Sequence, residues 1–283
     1  MRNFCVPSGI GDFSWAYSKL KHVGMANWAV ADGWPHRTVP YIKLLENVND
    51  ATYGPFNYTE IVRLEEQFGF GMTPTWERVN QFLGENIYIE PNRHLEAGRR
   101  LEDWLPDLPC DFHYDIPVPM EDRQRAMSLL QTFKRPLWGI SCASYRGSEA
   151  WKTWGHDEWI LYLKMLEAEV GGTILMLGGF WDDLTSTVAT TGGYRDIVGR
   201  TSVPMMVEVM NLLDGYIGFS SGMGIIRTVL NKPVFMMWPD HQVELSTSWA
   251  PQNMLETRAY VASLWREPGL VFTRTKDWLR RNF

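Results

Sequence analysis

The chain of 283 residues is 45% hydrophobic and 21% charged, with 24 Gly, 16 Pro and 3 Cys. This excludes a disordered chain, a disulfide scaffold and a collagen-like or coiled-coil fibre, and the length favours two domains. The net charge of −6 resides in residues 1–130, with 12 Lys and Arg against 18 Asp and Glu, while 131–283 carry 15 of each; a protein built to grip a polyanion usually has a basic surplus, so nucleic acid is disfavoured as a partner.

Cys5, Cys110 and Cys142 are far apart and show no metal-ligand spacing. The chain opens on a strand pattern rather than a signal peptide, and no apolar run approaches the roughly 18–20 residues of a membrane span. A reduced, cytoplasmic protein without a membrane span is expected.

In chain order, Phe4-Cys5-Val6 reads as a strand running into Gly9-Ile10-Gly11-Asp12, followed by a helix over Phe13–Leu20 and a strand over Trp28–Ala31. Residues 53–58 and 68–76 read as loops and short helices, and Pro106–Pro119, with four prolines, as a linker. The second half is more regular. A strand at Pro136–Ile140 leads into a polar loop, Ser141–Trp154, and a helix capped by Asp157 with Trp159, Ile160, Leu163, Leu166 and Val170 at helical spacing. Thr173–Leu177 is a buried-strand run closed by Gly178-Gly179, a helix follows near Asp182–Thr190, and Asp196-Ile197-Val198 is a short strand. Ser202 then caps a helix with Pro204 in its first turn. Tyr216–Phe219 is a strand, Ser220-Ser221-Gly222 opens another helix, and Pro233–Trp238 is one more strand. Alternating strands and helices predict an α/β fold with parallel βαβ units.

Ligands of such sheets bind on loops beyond the strands' carboxyl ends. Three loops qualify. Gly9 and Gly11 permit a tight turn and place Asp12 at a helix N-terminus, either as a helix cap or as a reactive carboxylate; Ser14 stands where a third dinucleotide-type glycine would be. Ser144, Arg146, Ser148 and Lys152 suit a phosphate without forming a Walker A, or make a solvated loop. Ser220, Ser221, Gly222 and Met223 leave helix N–H groups open to an anion. The alternation Asp111, His113, Asp115 could place ligands on one strand face, but no distant partner is evident and no metal is expected. Asp182-Asp183 reads as capping, and His241 and Glu244 as surface loop.

The order of these loops resembles glycosyltransferase family 9, the heptosyltransferase-like group. The resemblance rests on Gly9-Ile10-Gly11-Asp12; Lys152-Thr153-Trp154; Leu175-Met176-Leu177-Gly178-Gly179 followed by Asp182; Val198-Gly199-Arg200-Thr201-Ser202; Gly218-Phe219-Ser220-Ser221-Gly222; and Asn231-Lys232-Pro233-Val234. It covers residues 136–239 and a short N-terminal patch. Ser220 and Ile225 stand where many relatives have Asp and His.

The resemblance implies a GT-B-like fold, two Rossmann-like domains facing each other across a cleft: an acceptor-side domain over 1–125 and a nucleotide-sugar-binding domain over 126–283. It implies an inverting, metal-independent glycosyltransferase acting from a nucleotide-diphosphate sugar on a saccharide-type acceptor, with no cofactor. Asp12 would be the general base, beside Gly9 and Gly11. Lys152, Ser144, Arg146, Ser220, Ser221, Gly222 and Met223 would hold the diphosphate, and Gly178, Gly179, Gly199, Thr201 and Ser202 the nucleotide, with domain closure excluding water. Transfer to hydroxylated bases in DNA and a catalytically inactive nucleotide-sugar-binding module are the alternatives. Of the 14 Trp, Trp151, Trp154 and Trp159 are expected in packing, and Trp15, Trp28, Trp34, Trp76 and Trp104 as candidate acceptor walls.

Overall fold

The computed structural model describes residues 2–7, 9–31, 35–54, 61–68, 75–82, 84–90, 99–143, 154–219, 221–238, 259–263 and 267–283. The chain divides into two compact units between Pro117 and Val118.

The first unit holds β1 (Arg2–Val6), α1 (Ile10–Leu20), β2 (Ala26–Val30), α2 (Pro35–Ile42), β3 (Val48–Tyr53), β4 (Ile61–Arg63), α3 (Leu64–Phe68), α4 (Trp76–Val79) and β5 (Asn86–Tyr88). Its five strands run in the order β3-β2-β1-β5-β4, and every pairing is parallel. Helix α1 buries Phe13, Ala16, Tyr17 and Leu20, the stripe that places one helical face on a sheet. Phe13 meets the Trp28 ring at 4.9 Å between centroids, and Phe4 meets it at 5.1 Å.

The expected linker is a packed segment. Phe112, Ile116 and Val118 are buried, and the Tyr114 and Tyr41 hydroxyls lie 3.0 Å apart. Lys21 pairs with Asp111 at 2.6 Å. The fully buried Lys19 donates to the carbonyls of Glu102 at 3.0 Å and Leu108 at 3.1 Å, tying residues 101–108 to α1. The prolines there break regular structure without freeing the chain.

The second unit contains α5 (Met120–Leu130), β6 (Leu137–Ser141), α6 (His156–Glu169), β7 (Thr173–Met176), α7 (Asp183–Gly192), β8 (Arg195–Asp196), α8 (Val203–Leu212), β9 (Gly215–Phe219), α9 (Gly222–Val229), β10 (Val234–Trp238), β11 (Ala259–Ser263) and α10 (Pro268–Asn282). Because α5 lies here, the units part ahead of the 125/126 boundary read from sequence. The six strands run β11-β10-β9-β6-β7-β8, again all parallel. Every residue of β6, β9 and β10 is buried, as a parallel sheet covered on both faces demands. Trp138, Trp159, Tyr162, Phe235 and Trp278 fill its core. Gly139 is required there: a Cβ would meet Leu213 at 2.5 Å and Leu177 at 2.7 Å.

Two local expectations are corrected. Asp157 does not cap α6; Gly155 is the N-cap and Asp157 sits in the first turn, where the helix dipole favours a carboxylate. The strand expected over 196–198 is Arg195–Asp196, and the chain turns away after Ile197 N–H bonds Met176 O at 3.1 Å. Among the described residues no helix is long and apolar enough to cross a membrane.

Candidate functional site

In the first sheet the chain leaves β1 for β2 and β3 on one side, then crosses to β4 at the far edge and steps back to β5 beside β1. Strands β2 and β5 therefore flank β1, and the loop that leaves its carboxyl end has the position that holds ligands in open parallel sheets. Asp12 stands just beyond it, at the third helical position of α1, half-buried, with Gly9 as N-cap. Gly9 has φ −79°, so the loop does not need its conformational freedom. The requirement is steric: a Cβ at position 9 would overlap the Asp12 carboxylate, which folds back over Gly9. Gly11 lies within α1, so the tight turn expected of both glycines is replaced by close approach at one. Ser14 is fully buried.

In the second unit the chain runs β6, β7, β8 and then crosses to β9, β10, β11, so the reversal falls between β6 and β9. Ser141 and Gly218 are partners at that point. Beyond β6, Cys142 and Ala143 are buried; Ser144, Arg146, Ser148 and Lys152 lie outside the described residues, as does Ser220. Beyond β9, Ser221 is the N-cap of α9 but makes no side-chain cap bond; its hydroxyl lies 3.5 Å from that of Tyr216. The first helical bond is Ile225 N–H to Ser221 O at 3.1 Å. The N–H groups of Gly222, Met223 and Gly224 thus have no carbonyl within the helix to bond, and the positive end of the dipole lies with them. Gly218 lets the buried Tyr216 hydroxyl lie across it, where a Cβ would come to 2.7 Å.

Next to this point, the polypeptide after β7 forms a small polar core. Asp182 is buried and caps α7, accepting from Thr185 N–H at 3.1 Å. Thr185 Oγ1 in turn accepts from Cys142 N–H at 3.0 Å, joining the ends of β6 and β7. Burial pushes the Asp182 carboxyl up to about 6, against the pull of its Thr185 hydrogen bonds, with the charges of Asp183 and Asp196 adding to the rise. Burial likewise raises the Cys142 thiol, with Asp182 contributing.

Gly178, Gly179 and Gly199 come together, since Gly199 N–H bonds Gly178 O at 3.0 Å. None has room for a side chain: a Cβ at Gly178 would come to 2.6 Å from the Asp182 carboxylate, one at Gly179 would overlap the Trp181 indole, and one at Gly199, which has φ +70°, would come to 3.1 Å from the Phe180 backbone. Thr201 is half-buried beside them. Ser202 caps α8, accepting from Met205 N–H at 3.2 Å and donating to Asp122 at 2.8 Å, so its hydroxyl is engaged in structure. Sequence reading passed over Phe180, which is 68% exposed; an aromatic directly after a strand-closing glycine pair was its signal.

Other candidates are redistributed. Trp28 and Trp104 are core residues, not acceptor walls. Trp76 is half-buried, with the Arg2 guanidinium 5.7 Å from its ring centre, and Trp15 is half-buried in α1. Trp154 and Trp159 pack at 4.9 Å in the core; Trp34, Trp151, His241 and Glu244 lie outside the described residues. Asp111, His113 and Asp115 are not on a strand, and Asp111 is paired with Lys21. Among the described residues no group of three or more His, Cys, Asp and Glu could hold a metal ion.

No protein-family model matches the sequence, and no curated protein does. Solved structures do match. Over 99% of both chains, the protein is similar to E. coli ADP-heptose LPS heptosyltransferase II, with a TM-score of 0.67 at 14% identity. A glycosyl transferase family 9 protein from Veillonella parvula gives 0.62 at 12% identity, over 98% of this chain and 89% of that one. E. coli heptosyltransferase WaaC with ADP gives 0.59 at 12% identity over the whole of both. The chain has the fold of these proteins, as the resemblance in its loops implied: α/β, with two Rossmann-like parallel sheets.

Proposed function

We propose that the protein is an inverting glycosyltransferase that moves a sugar from a nucleotide-diphosphate sugar to a hydroxyl of a saccharide-type acceptor, without help from a metal ion. The observation that carries this reading is what stands at the carboxyl end of a central strand in each sheet. Beyond β1 it is a carboxylate on a helix, and beyond β9, at the strand-order reversal of the second sheet, a helix N-terminus with a hydroxyl at its cap. The proteins that share the fold support the donor class: two are heptosyltransferases, one of them with ADP.

In this reading Asp12 takes the proton from the acceptor hydroxyl. The oxygen attacks the anomeric carbon on the face opposite the diphosphate, whose bond to that carbon breaks and whose oxygen gains charge. Fixed donors meet that charge: the N–H groups of Gly222 and Met223, the Ser221 hydroxyl, and from the adjoining loops Ser220, Lys152, Ser144 and Arg146. Gly178, Gly179, Gly199 and Thr201 form the floor for the nucleoside.

Thermal denaturation with ADP, UDP and their sugars tests the reading. A nucleotide at a hundred times its Kd should add about 2.7 kcal/mol of stability, and transfer by the stabilising sugar nucleotide should persist in EDTA. No stabilisation by any nucleotide would overturn the donor assignment.

A further inference from the structure

We infer that Phe180 is the residue on which the donor's nucleobase stacks, so that nucleotide affinity at this site comes in good part from one exposed aromatic ring. The inference rests on the donor reading above and adds a residue and a recognition chemistry to it.

A single exposed hydrophobic side chain is ordinary on a protein surface. Phe180 is set apart by its position and its support. It is 68% exposed, yet the backbone beneath it is closely held: a Cβ at Gly199 would come to 3.1 Å from the Phe180 Cα, and the Gly199–Gly178 hydrogen bond joins the two loops. Trp181 packs edge-on against its ring at 4.8 Å between centroids. Asp182, two residues on, anchors the loop to α7 through Thr185. A fixed ring facing water, on a rigid base, is what a flat heteroaromatic group stacks on; such stacking tolerates any base because every base has a π-face.

The distance fits too. The α9 N-terminus follows β9, and the Phe180 loop follows β7, with β6 between them. Two strand spacings put the loops roughly 10 Å apart across the same sheet edge, a gap that a ribose and diphosphate can bridge. A diphosphate at Gly222 and Met223 therefore directs its nucleoside along the edge toward Phe180.

Isothermal titration of the full chain with ADP, UDP and inorganic pyrophosphate tests this, using the wild type, Phe180→Ala and Phe180→Tyr. Phe180→Ala should weaken ADP and UDP about fivefold or more while pyrophosphate affinity stays within twofold, and Phe180→Tyr should restore nucleotide affinity. Three results overturn the inference: unchanged nucleotide affinity in Phe180→Ala, an equal loss for pyrophosphate, or a wild type that binds pyrophosphate as tightly as ADP. All three leave the donor reading standing if nucleotides bind. A wild type that binds none of the three probes removes both.

Discussion

Asp182 shows how one buried carboxylate can set a pH dependence. Its carboxyl is held at about 6 in the fold, against 3.8 for a free side chain. Between those values the folded chain keeps a proton that the unfolded chain has lost, so this group's contribution to stability falls as pH rises from about 4 to about 6, and the full cost remains above. At 1.36 kcal/mol per pKa unit that cost is about 3 kcal/mol as an upper figure. Asn caps helices as well as Asp does. Asp182→Asn should therefore gain stability relative to wild type between pH 4 and pH 7, measured by denaturant unfolding at both; a constant difference would refute the shift. At Asp12 the expectation is kinetic. Asp12→Asn should lower kcat by about 100- to 10,000-fold, the range of general-base catalysis, with ADP affinity within a few fold of wild type. Unimpaired turnover would remove Asp12 as base and leave it as the acid folded over Gly9.

Among the elements, α8 and α9 bear separately testable features. Ser202→Ala removes the α8 cap and its bond to Asp122; a loss of about 1 kcal/mol is expected in equilibrium unfolding. Arg227 of α9 is fully buried and donates to the carbonyls of Met210, Asp214 and Pro233, joining the end of α8 to the starts of β9 and β10. Arg227→Met leaves those carbonyls short of a donor and should destabilise by several kcal/mol; a loss below about 1 kcal/mol would mean water replaces the guanidinium. These elements were also the ones legible in the sequence. β6, β9 and β10 are continuous apolar runs, and α8 announces itself by its cap and Pro204. The unit holding Asp12 was harder to read. In β3 only Ala51 of six residues is buried, so an edge strand shows no alternation. β4 and β5 are three residues each, and α2 carries Pro40 in its interior. Such elements exist because neighbouring strands pair with them, a cause that no local pattern records.

For the whole molecule, two units with separate cores imply a ligand effect confined to one of them. By calorimetry, ADP should raise the unfolding transition of the second unit and leave that of the first in place; an equal rise in both would show that the units unfold as one.

The sequence by itself determined where loops leave the strands and helices begin, because glycine pairs, helix caps and strand ends are local features written in consecutive residues: Asp12 after β1, Gly178-Gly179 after β7, Ser221-Gly222 after β9. Only the tertiary structure decided what those loops do to one another. Parallel strands pair through long crossovers, so the adjacency of β6 to β9, the meeting of Gly178 with Gly199, the burial of Asp182 beneath them and the exposure of Phe180 above them depend on contacts between residues distant in the chain. The composition asked why there are so many tryptophans. The packing answers for Trp28, Trp104, Trp138, Trp159 and Trp278, which lie in the cores.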